Sequence, residues 1–382
     1  MVMYALAKTA SMRFPITAQR DCFFSLLPPA ALWCIPELPI VTIFNPARRM
    51  RAATYIFLPP LPRGSGGLGV LRRMGVFLRN AGFPVCFVLR EPSNSVEESG
   101  VDILFWQELR LQADDIWLTP EGWPNALLPA LHAGARAFIY AQSWAYLLSC
   151  QPPNMHMENL PLEFLAVSEP VAHFVDMSLG KHAPVLRPGI DTALFCPPAA
   201  KDYKPVRVAY MPRKNKAFAR HIRELAEARL RRRRPPLPLE WMSIEDRSQA
   251  EVARVLQTAH IFLCTGFPEG CPLPPLEALA CGCVPVGFTG LGGWDYMRQA
   301  ADFPGAAAPL WPLRETSWAG NGFYVADGDV PGAVFAMEAA LDILARGGEE
   351  LAALRRAGQM TAAAYSLAAQ EWAVTALWSK LA

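Results

Sequence analysis

An excess charge of either sign is missing from this chain of 382 residues, where 36 Lys and Arg stand against 34 Asp and Glu. A net charge of +2 and a pI near 8.1 lack the concentrated basic face that nucleic-acid binding calls for. An uninterrupted membrane-spanning run is missing too. Residues 22 to 44, "CFFSLLPPAALWCIPELPIVTIF", are apolar, but four prolines and Glu37 break them, and a spanning helix needs about 20 consecutive apolar residues. No compact apolar core followed by a small-residue cleavage site marks a signal peptide. The nine cysteines form no framework; Cys281 and Cys283 stand one residue apart, closer than a zinc pair, with no second pair behind them. The expectation is reduced thiols, a cytosolic location and no bound metal.

What is present is a foldable, apolar chain, 52% hydrophobic and 18% charged, longer than one core usually organises. Two domains with a cleft between them follow as the first expectation. Residues 1–52 read as an amino-terminal extension without visible chemistry. From Ala53 onward, β-rich apolar runs alternate with helical patterns, which predicts an α/β fold with parallel sheets. Strands are expected at 54–58, 84–89, 115–119, 136–141 and 164–168, with a helix "LGVLRRMGVFLRNAG" after the first. The proline-rich stretch "LFCPPAAKDYKP" reads as an interdomain linker. Beyond it the pattern predicts strands at 206–211, 239–243, 261–265, 284–288 and 322–326, helices at 216–230, 248–258 and 275–281, and a helical tail from Pro331. The expected domains are 53–198, 199–365 and a returning helix, 366–382.

"GSGGLG", Gly64 to Gly69, matches the dinucleotide-binding spelling G-x-G-x-x-G, with Glu91 further on. The intervening "PPLPR" pushes the glycines away from the strand end, so a dehydrogenase is disfavoured. Gly66 and Gly67 still allow backbone amides to approach a phosphate or sugar.

In "FPEGCPLPPLEALACGCVPV", 267 to 286, two acids stand eight positions apart in an apolar run: Glu269 in the loop leaving a strand, Glu277 in the first turn of the next helix. Acids are seldom buried without a partner, and the carboxyl edge of an open α/β sheet is where ligands bind. This stretch resembles the E-x7-E region of the family 4 retaining glycosyltransferases, enzymes of the two-Rossmann-domain GT-B fold. Residues 167–197, with Gly189, Ile190, Asp191 and Phe195, resemble that family's approach to the hinge, and "NGFYVADGD" its late strand and loop.

The resemblance implies two Rossmann-like domains whose parallel sheets face each other across a cleft, with carboxy-terminal helices packing back on the first. It implies a nucleotide diphosphate sugar as donor and a glycan, lipid-linked or other hydroxyl acceptor, hexosyl or related transfer with retention, and a place in polysaccharide biosynthesis. Glu269 would face the donor sugar and Glu277 the ribose. Gly270, Cys271 and Leu273 would line the donor, and Arg213 and Lys216, with Lys214 as substitute, would neutralise the diphosphate without a metal. Gln142 falls on the acceptor side, where many members carry histidine; His260 reads as structural, and Asp327 and Asp329 as a turn. Two rival readings stay open: a non-hydrolysing nucleotide sugar epimerase, for which no acid/base set is evident, and an inactive sugar- or nucleotide-binding partner. Arg231 to Arg234 suggest contact with an anionic membrane face.

Overall fold

The computed structural model describes residues 52–381 apart from 62–65, 92–98, 203, 234 and 236. The extension 1–51, Gly64 and Arg234 therefore lie outside the described residues. The first half is a parallel sheet in the order β3-β2-β1-β4-β5-β6. Its strands are β1 (Thr54–Phe57), β2 (Val85–Leu89), β3 (Asp102–Phe105), β4 (Ile116–Pro120), β5 (Arg136–Ala141) and β6 (Leu162–Ala166). β1, β2 and β4 are buried at every position, as expected of strands covered on both faces. Helix α1 (Gly66–Asn80) buries Leu68, Leu71, Met74 and Leu78 on one face. It lies so close to the sheet that a Cβ on Gly75 would meet the Phe87 ring at 2.3 Å. The short helices α2 (Leu128–Ala133) and α3 (Trp144–Ser149) follow β4 and β5, and α4 (Glu169–Leu179) follows β6. Ser168 caps α4 by accepting from Val171 N, and Gly180 ends it at φ 62°.

The second half is a parallel sheet in the order β11-β10-β9-β7-β8, made of β7 (Val206–Tyr210), β8 (Leu239–Ser243), β9 (Ile261–Cys264), β10 (Val284–Phe288) and β11 (Phe323–Val325). Helices α5 (Lys216–Leu230), α6 (Gln249–Thr258), α7 (Leu273–Ala280), α8 (Val330–Arg346) and α9 (Gly348–Ala364) cover it. The last helix, α10 (Leu367–Leu381), returns to the first half: Trp378 Nε1 donates to Thr54 Oγ1 at 2.8 Å, and Arg136 donates to Leu381 O at 3.0 Å. The expected architecture is present, and β5, β8, β10 and α5 start and end where the pattern put them.

Three expectations need correction. The strand expected at 164–168 spans Leu162–Ala166, because Ser168 is consumed as the α4 cap. β3 was not anticipated, since its four residues are half-buried at the sheet edge and give a weak apolar signal. Helix α7 begins at Leu273 behind Pro272, so Glu277 is its fifth residue and stands beyond the first turn. Its charge is thus not a helix-dipole complement.

Candidate active site

In each sheet the strand order reverses direction once, between β1 and β4 in the first and between β7 and β9 in the second. Ligands of open α/β sheets bind outside the carboxyl ends of the strands at that point. Around these ends the chain gathers most of its expected site residues.

At the second sheet, the loop after β7 folds over the loop after β9. Asn215 Nδ2 donates to Thr265 O and Phe267 O, both at 2.9 Å. Lys214 Nζ reaches Glu269 Oε1 at 2.7 Å. Glu269 is held by its backbone as well, its N–H donating to Gly290 O at 2.9 Å and its carbonyl accepting from Gly292 N at 3.1 Å. Asp327 accepts from Gly290 N at 2.8 Å and so fixes the same loop from β11, while Asp329 caps α8. The expected turn thus supports the Glu269 loop.

The amino-terminal half closes directly on this loop. Ser168 Oγ donates to Gly270 O at 2.6 Å and Trp144 Nε1 to Gly290 O at 3.3 Å. Gln142 is wedged between the halves: a Cβ on Gly67 would stand 2.5 Å from Gln142 Oε1, and one on Gly270 would stand 2.0 Å from Gln142 O. At Gly270 glycine is required, because a side chain would meet the Gln142 backbone, whereas at Gly67 the neighbour is the movable Gln142 side-chain amide. Gly66 opens α1 and is exposed. Cys271 and Leu273 are half-buried and pack against cores of both halves; burial pushes the Cys271 thiol well up, which keeps it protonated.

Arg213 is exposed, and Lys216 faces elsewhere than Glu269's partner. Lys216 lines a groove of about 340 Å³ with Tyr210, Pro212, Arg220, Arg223 and Glu245. Neither Glu269 nor Glu277 lines that groove. Of the basic residues carried over from the resemblance, it is Lys214, three residues after Met211 at the strand end, that stands on the acid.

Three groups escaped the sequence reading. Glu121 directly follows β4, at the carboxyl edge, and accepts from Gln142 N at 2.8 Å. Burial pushes its carboxyl up to about 7 even though the amides of Gln142, Glu121 and Ser143 favour the charged form. An acid at a strand's carboxyl end was the available signal. Arg73 crosses from α1 to the second half, where its charge favours ionisation of Glu277, while burial pushes that carboxyl up to about 7. Arg73 Nη2 donates to Gly189 O at 3.4 Å, its Nε has no acceptor among the described residues, and burial lowers its own pKa. An arginine inside an otherwise apolar helix face, between Leu71 and Met74, was the signal. The third is Asp295, fully buried, which accepts from Arg187 Nε at 2.7 Å, from Glu169 N at 2.9 Å and from the Tyr365 hydroxyl. Arg187 also reaches Glu169 Oε1 at 2.9 Å. These groups join both halves and the α9–α10 junction.

His260 is buried and accepts at Nδ1 from Arg207 N at 2.9 Å, a structural role; burial, then Arg207, pushes its pKa down to about 4. Of the arginine run, Arg231 and Arg232 are exposed and Arg233 pairs with Asp342 at 2.9 Å. Among the described residues no helix is long and apolar enough to cross a membrane.

No family model and no curated protein sequence matches the chain. Solved structures do. A sucrose-phosphate synthase from Thermosynechococcus elongatus is 14% identical at TM-score 0.62, covering 87% of this chain and 99% of its own. The catalytic domain of starch synthase IV from Arabidopsis thaliana, bound to ADP and acarbose, is 13% identical at TM-score 0.54, covering 87% and 98%. The pneumococcal O-GlcNAc transferase GtfA, in complex with UDP and GlcNAc, is 10% identical at TM-score 0.56, covering 87% and 98%. With two facing parallel sheets and a returning carboxy-terminal helix, the chain has the GT-B fold.

Proposed function

We propose that this protein is a retaining, family 4-type glycosyltransferase that moves a sugar from a nucleotide diphosphate sugar to a hydroxyl acceptor held by the first half. The observation that carries the reading is the ion pair Lys214–Glu269 at the switch point of the second sheet, pressed against Gln142 and Ser168 of the first. The likeness to GT-B structures that hold ADP with acarbose, or UDP with GlcNAc, supports it.

In this reading Glu269 accepts hydrogen bonds from the donor sugar's hydroxyls, and Lys214 with Arg213 faces the diphosphate. The bond from the anomeric carbon to the phosphate oxygen breaks as the acceptor oxygen forms its bond on the same face. The acceptor proton passes to the departing phosphate oxygen. Cations there stabilise charge as it develops, and the closed interface excludes water. Glu277 binds the ribose hydroxyls when ionised. Gly66, Gly67, Gly270, Cys271 and Leu273 line the donor, and Lys216, from the groove beside the loop, is a third cation after Lys214 and Arg213. The reaction needs no metal, so EDTA leaves turnover unchanged.

A thermal-shift screen with UDP, GDP, dTDP and ADP sugars tests the reading, since a ligand favouring the native state raises the melting temperature. At least one donor gives a shift that E269Q and E277Q diminish. NMR of the product then shows the donor's anomeric configuration kept. Hydrolysis and transfer both absent with a bound donor would favour the inactive-partner reading instead. A glycan or lipid-linked acceptor and peripheral contact with an anionic membrane face in the cytoplasm belong to the same proposal. Vesicle binding that falls in R231Q/R232Q tests the latter.

A further inference from the structure

The described residues between β2 and β4 contain no α-helix. Aromatic side chains gather there, from the ends of β1 and β3, the body of β4 and the loop after it. Phe57 ends β1, Arg90 follows β2, Trp106 follows β3, and Trp123 comes three residues after β4. The Phe57 ring stands 5.5 Å from Trp106, 6.2 Å from Trp117 and 6.1 Å from Trp123, and Trp106 stands 5.9 Å from Trp117. The Arg90 guanidinium lies 4.9 Å above Trp106 and 5.7 Å from Phe57.

Phe57 and Trp117 are fully buried, and Trp117 Nε1 donates to Ala126 O at 2.8 Å, so these two are core. Trp106 and Trp123 pack against that core from its rim, and they and Arg90 keep exposed surface. All three are half-buried. Neither outer indole N–H has an acceptor among the described residues, and Arg90 has no carboxylate partner there. With its guanidinium carbon 4.9 Å from the indole centroid and no carboxylate partner among the described residues, Arg90 has N–H donors to offer in the fork geometry that matches a carboxylate or phosphate. The flanking indoles offer apolar faces and N–H donors together, as a sugar ring with one C–H face and peripheral hydroxyls demands. Few convergent polar groups among aromatics are the usual make-up of a small-molecule site.

We infer that Arg90, Trp106 and Trp123 form a ledge that binds a sugar unit carrying an anionic group, carboxylate or phosphate. The ledge lies on the same strand-end edge as Glu121 and Gln142. Four strand spacings separate the ends of β3 and β5, about 19 Å. Resting on the glycosyltransferase reading, the ledge holds a distal unit of an acceptor longer than one sugar and so selects acidic glycans.

Indole ¹H–¹⁵N resonances test this without any turnover. The Trp106 and Trp123 signals are assigned by their loss in W106F and W123F. Titration with D-glucuronate and with glucose 6-phosphate shifts these two signals, while glucose at the same concentration does not. R90Q, which keeps the wild-type melting temperature, weakens the response at least tenfold. Glucuronate alone acting identifies a uronate, and glucose 6-phosphate alone a phosphosugar. Unmoved indoles with both probes, an equal response to glucose, or an unchanged R90Q titration overturns the ledge. A failed donor screen with a positive indole titration would sink the transferase reading and leave the ledge standing.

Discussion

Glu269 is held on three sides, by Lys214 Nζ, Gly290 O and Gly292 N, so its carboxylate is oriented before any ligand arrives. Replacing it by glutamine keeps the backbone contacts and removes the charge. We expect kcat/KM to fall by about 100-fold or more, the scale of losing one preorganised electrostatic contact, with the melting temperature little changed. Glu277 gives a pH signature. With its carboxyl near 7, it is half ionised at neutral pH, and a ribose-binding carboxylate works in the ionised form. Donor affinity measured by calorimetry therefore rises through pH 7 in the wild type, and E277Q removes that inflection. Arg73→Met takes away the charge favouring ionisation, so the inflection moves upward; an unmoved inflection would separate Arg73 from the site. The facing groups are few: Arg73 across the interface, and Cys281 on the same helix's end.

At the level of elements, the loop after β9 and the loop after β5 meet through glycine. A methyl on Gly270 stands 2.0 Å from Gln142 O, and backbone on both sides leaves it no escape. Gly270→Ala parts the two loops and loses the Ser168 contact. Since a 1 Å misplacement of reacting groups costs about 100-fold, turnover falls by that order. Each half keeps its core, so far-UV circular dichroism stays near wild type, while the overpacked contact lowers the urea midpoint. Glu121 acts at the same level by taking the Gln142 amide, and it shapes the α3 entry from below.

Across the whole molecule, Asp295 is the knot. It sits at 0% exposure and takes Arg187, Glu169 N and Tyr365 together. Asp295→Asn leaves the half-buried Arg187 without its main counter-charge, and breaking a buried pair costs about 3–5 kcal/mol, read from urea unfolding. Stability also varies with pH in a defined way. Glu121 and Glu277 carry native pKa values near 7 against an ordinary 4.5. The folded chain binds more protons than the unfolded one across that window, so their contribution is present below it and is lost as pH rises through it. His260 works oppositely: its native value near 4 lies below the ordinary 6.5, so its contribution is present above pH 6.5 and lost as pH falls toward 4. E121Q/E277Q therefore flattens the decline in urea midpoint between pH 5 and 7.5.

Apolar periodicity by itself determined the two sheets and the longer helices of the second half, because fully buried strands and amphipathic helices must write their burial into residue type. The shorter helices α2, α3 and α4 of the first half gave no pattern long enough to read. β3 escaped it, being half-buried, and so did the start of α7, because prolines mark a helix's first turn without numbering it. The residue spelling around Glu269 and Glu277 likewise marked the edge where a ligand would sit. Only the tertiary structure decided the partners. It set Lys214 on Glu269, left Lys216 in a separate groove, brought Arg73 to Glu277 across 204 positions of sequence, and gathered Arg90 with Trp106 at neighbouring strand ends. Periodicity reports how a residue meets its own element's core, whereas pairing between elements depends on how the halves close, and no local pattern in the chain encodes that distance.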